Sequence, residues 1–207
     1  MKQISLFAFS VILSLLLINS GCQSPNQKNK TEPQLSIQAE YSTAWFQAAR
    51  TGNVELLKKL HSEQKIPWDF QGHNGITGLM QASRYGQWIV IKLFLDQKVN
   101  VNQLDSYKYN AISYALHGPL PKPSKEQISI YLLSQGADPF QEDHLQSRPV
   151  FYLIQFGMLS VLDKIPWGEK NDCQAIKKFP DKFSLIDFSK ELKQDQVVDF
   201  FKGKNCP

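Results

Sequence analysis

The sequence predicts an all-α solenoid of about four stacked helix-turn-helix units, closed at its C-terminal end by a further helical segment. Three observations predict it. Short blocks recur at a spacing near 33 residues, each block is followed by apolar residues at helical spacing, and glycines fall where the first helix of each unit has to end. The 207 residues are 42% hydrophobic and 20% charged. That composition suits one ordinary domain with a short accessory piece, and excludes a wholly disordered chain, a collagen-like fibre and a disulfide-dense scaffold. The formal net charge of +4 comes from 23 Lys+Arg against 19 Asp+Glu spread along the chain. Nucleic acid is therefore not expected as a partner.

The blocks align directly. Thr43 to Gly52 reads T-A-W-F-Q-A-A-R-T-G, and Thr77 to Gly86 reads T-G-L-M-Q-A-S-R-Y-G, five identities in ten with the glycines 34 apart. Asn110 to His117 reads N-A-I-S-Y-A-L-H, with Ala115 lying 33 after Ala82. Arg148 to Gly157 reads R-P-V-F-Y-L-I-Q-F-G, with Pro149 lying 38 after Ala111. Each of the first three blocks precedes a second apolar pattern: Val54–Leu60, Ile89–Leu95 and Ile128–Leu133.

Each element has a physical reason. Thr43 and Thr77 suit the N-cap of a short first helix. Ala48, Ala49, Ala82 and Ala115 let facing helices approach closely. Gly52, Gly86 and Gly157 can take the left-handed conformation that ends that helix. Leu56, Leu57, Leu60, Val90, Leu93, Phe94, Ile128, Leu132 and Leu133 form the expected seam between second helices. Asn74-Gly75 signals a tight turn, so the connections between units should be hairpin-like fingers.

These blocks resemble ankyrin repeats, with the pattern G-x-T-P-L-H-x-A-A, a glycine, an apolar helix and G-A-D-x-N. The resemblance covers about residues 41–165 and implies an ankyrin-like solenoid of about four helix-turn-helix repeats with a C-terminal helical cap. The histidine of T-P-L-H is replaced by Phe46, Met80, Ser113 and Phe151, so apolar packing is expected to outweigh its polar network. Five extra residues around Gly118-Pro-Leu-Pro-Lys-Pro-Ser124 account for the spacing of 38 between Lys98 and Gly136. A long persistent loop there is a second candidate contact. Lys-Ile-Pro-Trp occurs at 65–68 and again at 164–167, 99 residues apart and out of step with the repeats, and reads as coincidence. Pro166 should stop the last second helix early.

The N-terminus reads as an address. Lys2 precedes an apolar run from Ile4 to Ile18, too short to span a bilayer and right for an export signal. Asn19-Ser20-Gly21-Cys22 resembles the lipobox of bacterial lipoproteins, with Asn19 standing where that pattern has Leu. The resemblance implies a signal peptide over 1–21, lipidation of Cys22 and, with Gln23 following, an outer-membrane lipoprotein facing the periplasm. Residues 22–40 are then the lipidated cysteine and a flexible tether, since 23–34 hold no large apolar residue.

Residues 166–207 do not match the repeat and are expected to cap it. Ser189 to Lys202 reads as one amphipathic helix through Leu192, Val197, Val198, Phe200 and Phe201. In an oxidising compartment Cys173 and Cys206 can pair, closing a loop of about 34 residues worth roughly 3–4 kcal/mol in the chain-entropy model. Two unpaired thiols are the alternative.

No catalytic constellation emerges. His61, His73, His117 and His144 are scattered without metal-ligand spacing, and no nucleophile elbow, phosphate loop or paired-carboxylate motif occurs. The expectation is no enzyme, no metal and no cofactor. The resemblance instead implies a concave face of finger tips and first-helix positions that binds another protein. By position that face is Arg50 from block one and His73, Asn74, Ile76, Arg84 and Tyr85 from block two. Block three gives Ser106, Tyr107, Tyr109 and His117, and block four His144, Leu145 and Gln155. Tyr107, Tyr109, Tyr85, Arg84 and Arg50 are the favoured anchors, because aromatics and Arg dominate binding hot spots. An immunity protein blocking a secreted antibacterial toxin, or a scaffold or chaperone of an envelope enzyme, would both use such a face.

Overall fold

The computed structural model describes residues 31–167 and 184–204, with side chains from Glu40 onward. The expected signal peptide, Cys22, Cys173 and Cys206 lie outside the described residues. Among the described residues, those from Tyr41 onward form one compact unit. No described helix is long and apolar enough to cross a membrane.

Among the described residues ten α-helices pair in succession. α1 (Thr31–Thr51) leads into α2 (Val54–Gln64), α3 (Gly78–Tyr85) into α4 (Trp88–Asp96), α5 (Ala111–His117) into α6 (Lys122–Ser134), α7 (Pro149–Gln155) into α8 (Leu159–Leu162), and α9 (Leu185–Glu191) into α10 (Asp195–Gly203). The first member of each pair is the inner helix and the second the outer.

Local chemistry sets the helix starts. Thr77 Oγ1 accepts from Met80 N at 3.2 Å, Asn110 Oδ1 from Ser113 N at 3.1 Å, and Ser184 Oγ from Asp187 N at 3.1 Å. α7 starts instead with Pro149 in its first turn. Thr43 is not a cap. It lies inside α1, which begins at Thr31 within the stretch read as tether, because residues 34–51 contain neither Gly nor Pro to stop a helix. The expected left-handed glycines are present, with φ of 82°, 73° and 57° at Gly52, Gly86 and Gly157.

The core is a continuous seam. Leu57, Leu60, Val90, Phe94, Ile128 and Leu132 are buried as predicted, while Leu56, Leu93 and Leu133 are half-buried. Trp45 packs against Trp68 and Phe94 at 5.5 and 5.8 Å between centroids. Phe94 fits because residue 78 is Gly: a Cβ there would stand 2.2 Å from Phe94 Cζ. Gly118 has a similar reason. A Cβ at that position would meet the backbone oxygen of Arg84 at 2.1 Å, so α3 and α5 are as close as they can be.

Three expectations need correction. The Pro-rich insertion is not a free loop: α6 starts inside it at Lys122, and Leu120 lies against the core facing Gly86. The two Lys-Ile-Pro-Trp copies share a structural role. Each follows an outer helix, burying Ile66 or Ile165 and setting Trp68 on Trp45 and Phe94, or Trp167 on Phe140 and Phe201. They are 99 apart rather than the 105 separating Gly52 and Gly157, since α8 has 4 residues where α2 has 11.

The C-terminal cap, finally, is two helices rather than one. Lys193, with φ of 55°, breaks the run between α9 and α10. This pair repeats the array's own geometry. Gln87 Nε2 donates to Arg50 O at 2.9 Å across one repeat boundary, and Gln194 Nε2 donates to Gln155 O at 3.0 Å across another. Arg50 and Gln155 hold equivalent positions on α1 and α7. The cap therefore docks as a further repeat would.

Candidate functional site

Three fingers project between the helix pairs, at 72–76, 105–109 and 143–147. One backbone bond closes each base: Gly72 N to Ile76 O, Asp105 N to Tyr109 O, and Asp143 N to Ser147 O, at 2.9, 3.1 and 2.8 Å. Neighbouring fingers are tied along the row. Ser106 N donates to Asn74 O at 2.7 Å, and His144 N to Tyr107 O at 3.1 Å. The finger row is thus a rigid shelf, held by backbone independently of which side chains stand on it.

Buried carboxylates organise two of the fingers. Asp105 Oδ1 accepts from Tyr107 N and Tyr109 N at 2.8 and 2.9 Å, and its Oδ2 accepts from Tyr114 Oη at 2.8 Å. Burial and that hydrogen bond push the Tyr114 phenol well above its ordinary range. Asp143 Oδ1 accepts from Leu145 N and Ser147 N at 2.8 and 2.9 Å, but its buried Oδ2 has no partner. Tyr152 occupies in α7 the position Tyr114 holds in α5. Its ring packs on His117 instead, at 4.3 Å between centroids.

Aromatic rings gather over these carboxylates. Tyr109 is the centre, lying 5.4 Å from His117, 5.7 Å from His144, 6.4 Å from Tyr114 and 6.5 Å from Tyr107. Tyr107 also meets His144 at 5.1 Å and remains 48% exposed. Tyr107, Tyr109, Tyr114, His117, Ser113, Asp105 and Arg84 line a cleft of about 130 Å³. Burial, then the Asp143, Tyr152 and Asp105 charges, raise the Tyr109 phenol, which holds its proton.

Both histidines have assigned tautomers. His117 Nδ1 is 2.7 Å from Ser113 O, and His144 Nδ1 is 3.2 Å from Tyr107 O. A carbonyl only accepts, so each Nδ1 carries the hydrogen.

The sequence-predicted residues divide by place. Tyr107, Tyr109, His117, His144 and Arg84 come together around the cleft. Arg50 lies over the Tyr85 ring at 4.4 Å, beside it along the inner helices. His73 and Ser106 are exposed finger residues, Asn74 and Ile76 are half-buried, and Leu145 is 68% exposed on the last finger. Gln155 offers an exposed side chain while its carbonyl serves the cap. Sequence reasoning missed Tyr114, Tyr152, Asp105 and Asp143. The signal was available, since both pairs recur 38 residues apart, in step with the third and fourth blocks.

Among the described residues no group of three or more His, Cys, Asp or Glu could hold a metal ion. The cleft carries neither a nucleophile with an adjacent base nor a dyad of free carboxylates. It offers ring faces, phenol donors and one guanidinium: the equipment of recognition.

Comparison with known proteins gives the same picture. Residues 45–143 match the family model for Ankyrin repeats (3 copies). A rat protein, Ankyrin repeat and SAM domain-containing protein 6, is 32% identical over 95 residues, which is 45% of this chain and 10% of the rat protein. The chain spans about a tenth of the length of that curated relative. Ankyrin repeats are generally protein-binding scaffolds rather than enzymes. The stacked helix pairs, the finger row and the matched repeats together make the described fold an all-α ankyrin solenoid.

Proposed function

We propose that this chain is an exported lipoprotein, attached through Cys22 to the outer membrane and facing the periplasm, whose concave surface binds another protein. The observation that carries the binding reading is Tyr107. It stands 48% exposed at a finger tip beside a cleft of packed aromatics, where a solvated turn has no use for it. The address rests on the apolar run before Ser20-Gly21-Cys22. An envelope anchor with a single recognition face suits an immunity protein that meets an incoming antibacterial toxin and blocks it. A scaffold or chaperone for a resident envelope enzyme would use the same face.

Crosslinking in intact cells, followed by identification of the captured protein, tests this. Capture should be lost in Tyr107→Ala and in Tyr107→Ala with Tyr109→Ala, with the thermal transition of the single variant unchanged. Undiminished capture by both variants would remove this face. A captured toxin would make the chain an immunity protein, and a resident enzyme would make it a scaffold. Incorporation of a lipid precursor by the parent chain and not by Cys22→Ser would establish the anchor.

A further inference from the structure

The face just proposed is one-sided in charge. In the four repeats the inner-helix segments 43–51, 78–85, 111–117 and 149–155 contain no Asp or Glu; acidic side chains enter only at the edges, with Glu142 paired to Arg148 before the last finger and Asp187 and Glu191 on α9 of the cap. The finger segments 72–76, 105–109 and 143–147 contain two, Asp105 and Asp143, which are only 6% and 3% exposed. Asp105 spends both oxygens on the Tyr107 and Tyr109 amides and on Tyr114, and the free oxygen of Asp143 is sealed from solvent. Neither carboxylate can reach a partner.

The charged side chains that do face outward on these segments are cationic. Arg50 and Arg84 lie 34 residues apart at the same helical position, and Lys108 is exposed on its finger. Arg84 lines the cleft and has no ion pair among the described residues. Arg50 is already held flat over the Tyr85 ring at 4.4 Å, so little side-chain freedom remains for it to lose on binding. Tyr107 and Tyr109 line the same cleft as Arg84. Ring faces alone could take a partner's Lys or Arg, and Asp105 lines the same cleft, but its oxygens are already spent inside the finger, whereas Arg84 opposes a cation by like-charge repulsion.

We infer that the concave face receives an acidic segment of a protein partner. One carboxylate is taken by Arg84 with the hydroxyl of the exposed Tyr107, and a second by Arg50. This deepens the binding reading above and rests on it.

Selection of a phage-displayed library of random dodecapeptides on the full chain tests the inference separately from the reading beneath it. The recovered peptides should carry an excess of Asp and Glu over Lys and Arg relative to the unselected library. Their affinity should fall about tenfold or more in Arg84→Ala, the loss expected for one charge-assisted hydrogen bond, and recover in part in Arg84→Lys. Arg84 is half-buried and makes no ion pair among the described residues, and circular dichroism should find both Arg84 variants folded. Recovered peptides that are basic or apolar, yet still need Tyr107, would overturn the acidic assignment and leave the face standing. Peptides indifferent to Arg84→Ala and Tyr107→Ala alike would overturn both. A recovered pool no more acidic than the starting library would overturn the acidic assignment.

Discussion

Asp105→Ala should destabilise the fold much more than Asp143→Ala, although the two residues sit at equivalent finger positions. Asp105 accepts three hydrogen bonds of 2.8–2.9 Å, and one of them comes from Tyr114 Oη. The Tyr107 and Tyr109 amides lie on an exposed finger and can turn to water. The Tyr114 hydroxyl cannot, because that side chain is 9% exposed, and losing its acceptor leaves a buried donor unpaired. An orphaned buried group costs about 1–3 kcal/mol, and hydrogen bonds to a charged group contribute about 1.5–3 kcal/mol each before water recovers part. The expected loss for Asp105→Ala is about 3–5 kcal/mol. Asp143→Ala removes only two amide bonds and deletes an oxygen that has no partner, so about 1–2 kcal/mol is expected. Urea unfolding followed by circular dichroism reads both. Combining Asp105→Ala with Tyr114→Phe should recover about 1–2 kcal/mol of the summed single losses, because the second change removes the orphan the first creates. Equal losses for the two aspartates, or strict additivity with Tyr114→Phe, would refute this account of the fingers.

Other consequences are measurable. Gly118→Ala should cost about 1–3 kcal/mol, as its Cβ would stand 2.1 Å from the backbone oxygen of Arg84 and force α3 from α5; the urea midpoint checks it. The Tyr114 phenol is raised above its ordinary 10.0, so the folded state keeps a proton that the unfolded state releases. Stability should therefore be full below about pH 10 and fall as the pH rises past it, more steeply in the parent than in Tyr114→Phe, as alkaline unfolding would show. Cys173 and Cys206 should resist alkylation until reduced; labelling of both in the native protein would refute their pairing.

The array was legible in the sequence because its signals are local. Thr77 caps where a capping side chain must stand, and Gly52, Gly86 and Gly157 turn where the backbone needs positive φ. Features that depend on a partner far along the chain were not legible. Thr43 reads as a cap, but a cap exists only if the preceding residues leave the helix, and 34–42 offer nothing to make them do so. Lys193 takes φ of 55° without being Gly, so the sequence shows one helix where the structure has two. The Lys-Ile-Pro-Trp pair seemed out of step because the shortened α8 displaces the second copy.

The site was legible by position and opaque in its chemistry. Repeat register alone brings Tyr107, Tyr109, His117 and Arg84 to one cleft. What fixes the cleft is invisible at that level: a buried carboxylate beneath each of two fingers, and a tyrosine from the inner helix that engages one of them and not the other. Tyr114 donates to Asp105 while the Tyr152 ring packs on His117, a difference that no spacing encodes.

Placing a photo-activatable phenylalanine analogue at position 107, and in a parallel chain at the exposed outer-helix position Lys59, asks the central question in living cells. One discrete protein adduct should form from position 107, diminish when Arg84 is also changed to Ala, and be missing from position 59. An adduct of the same size from position 59 but not from 107 would show that recognition happens on the other side of the solenoid.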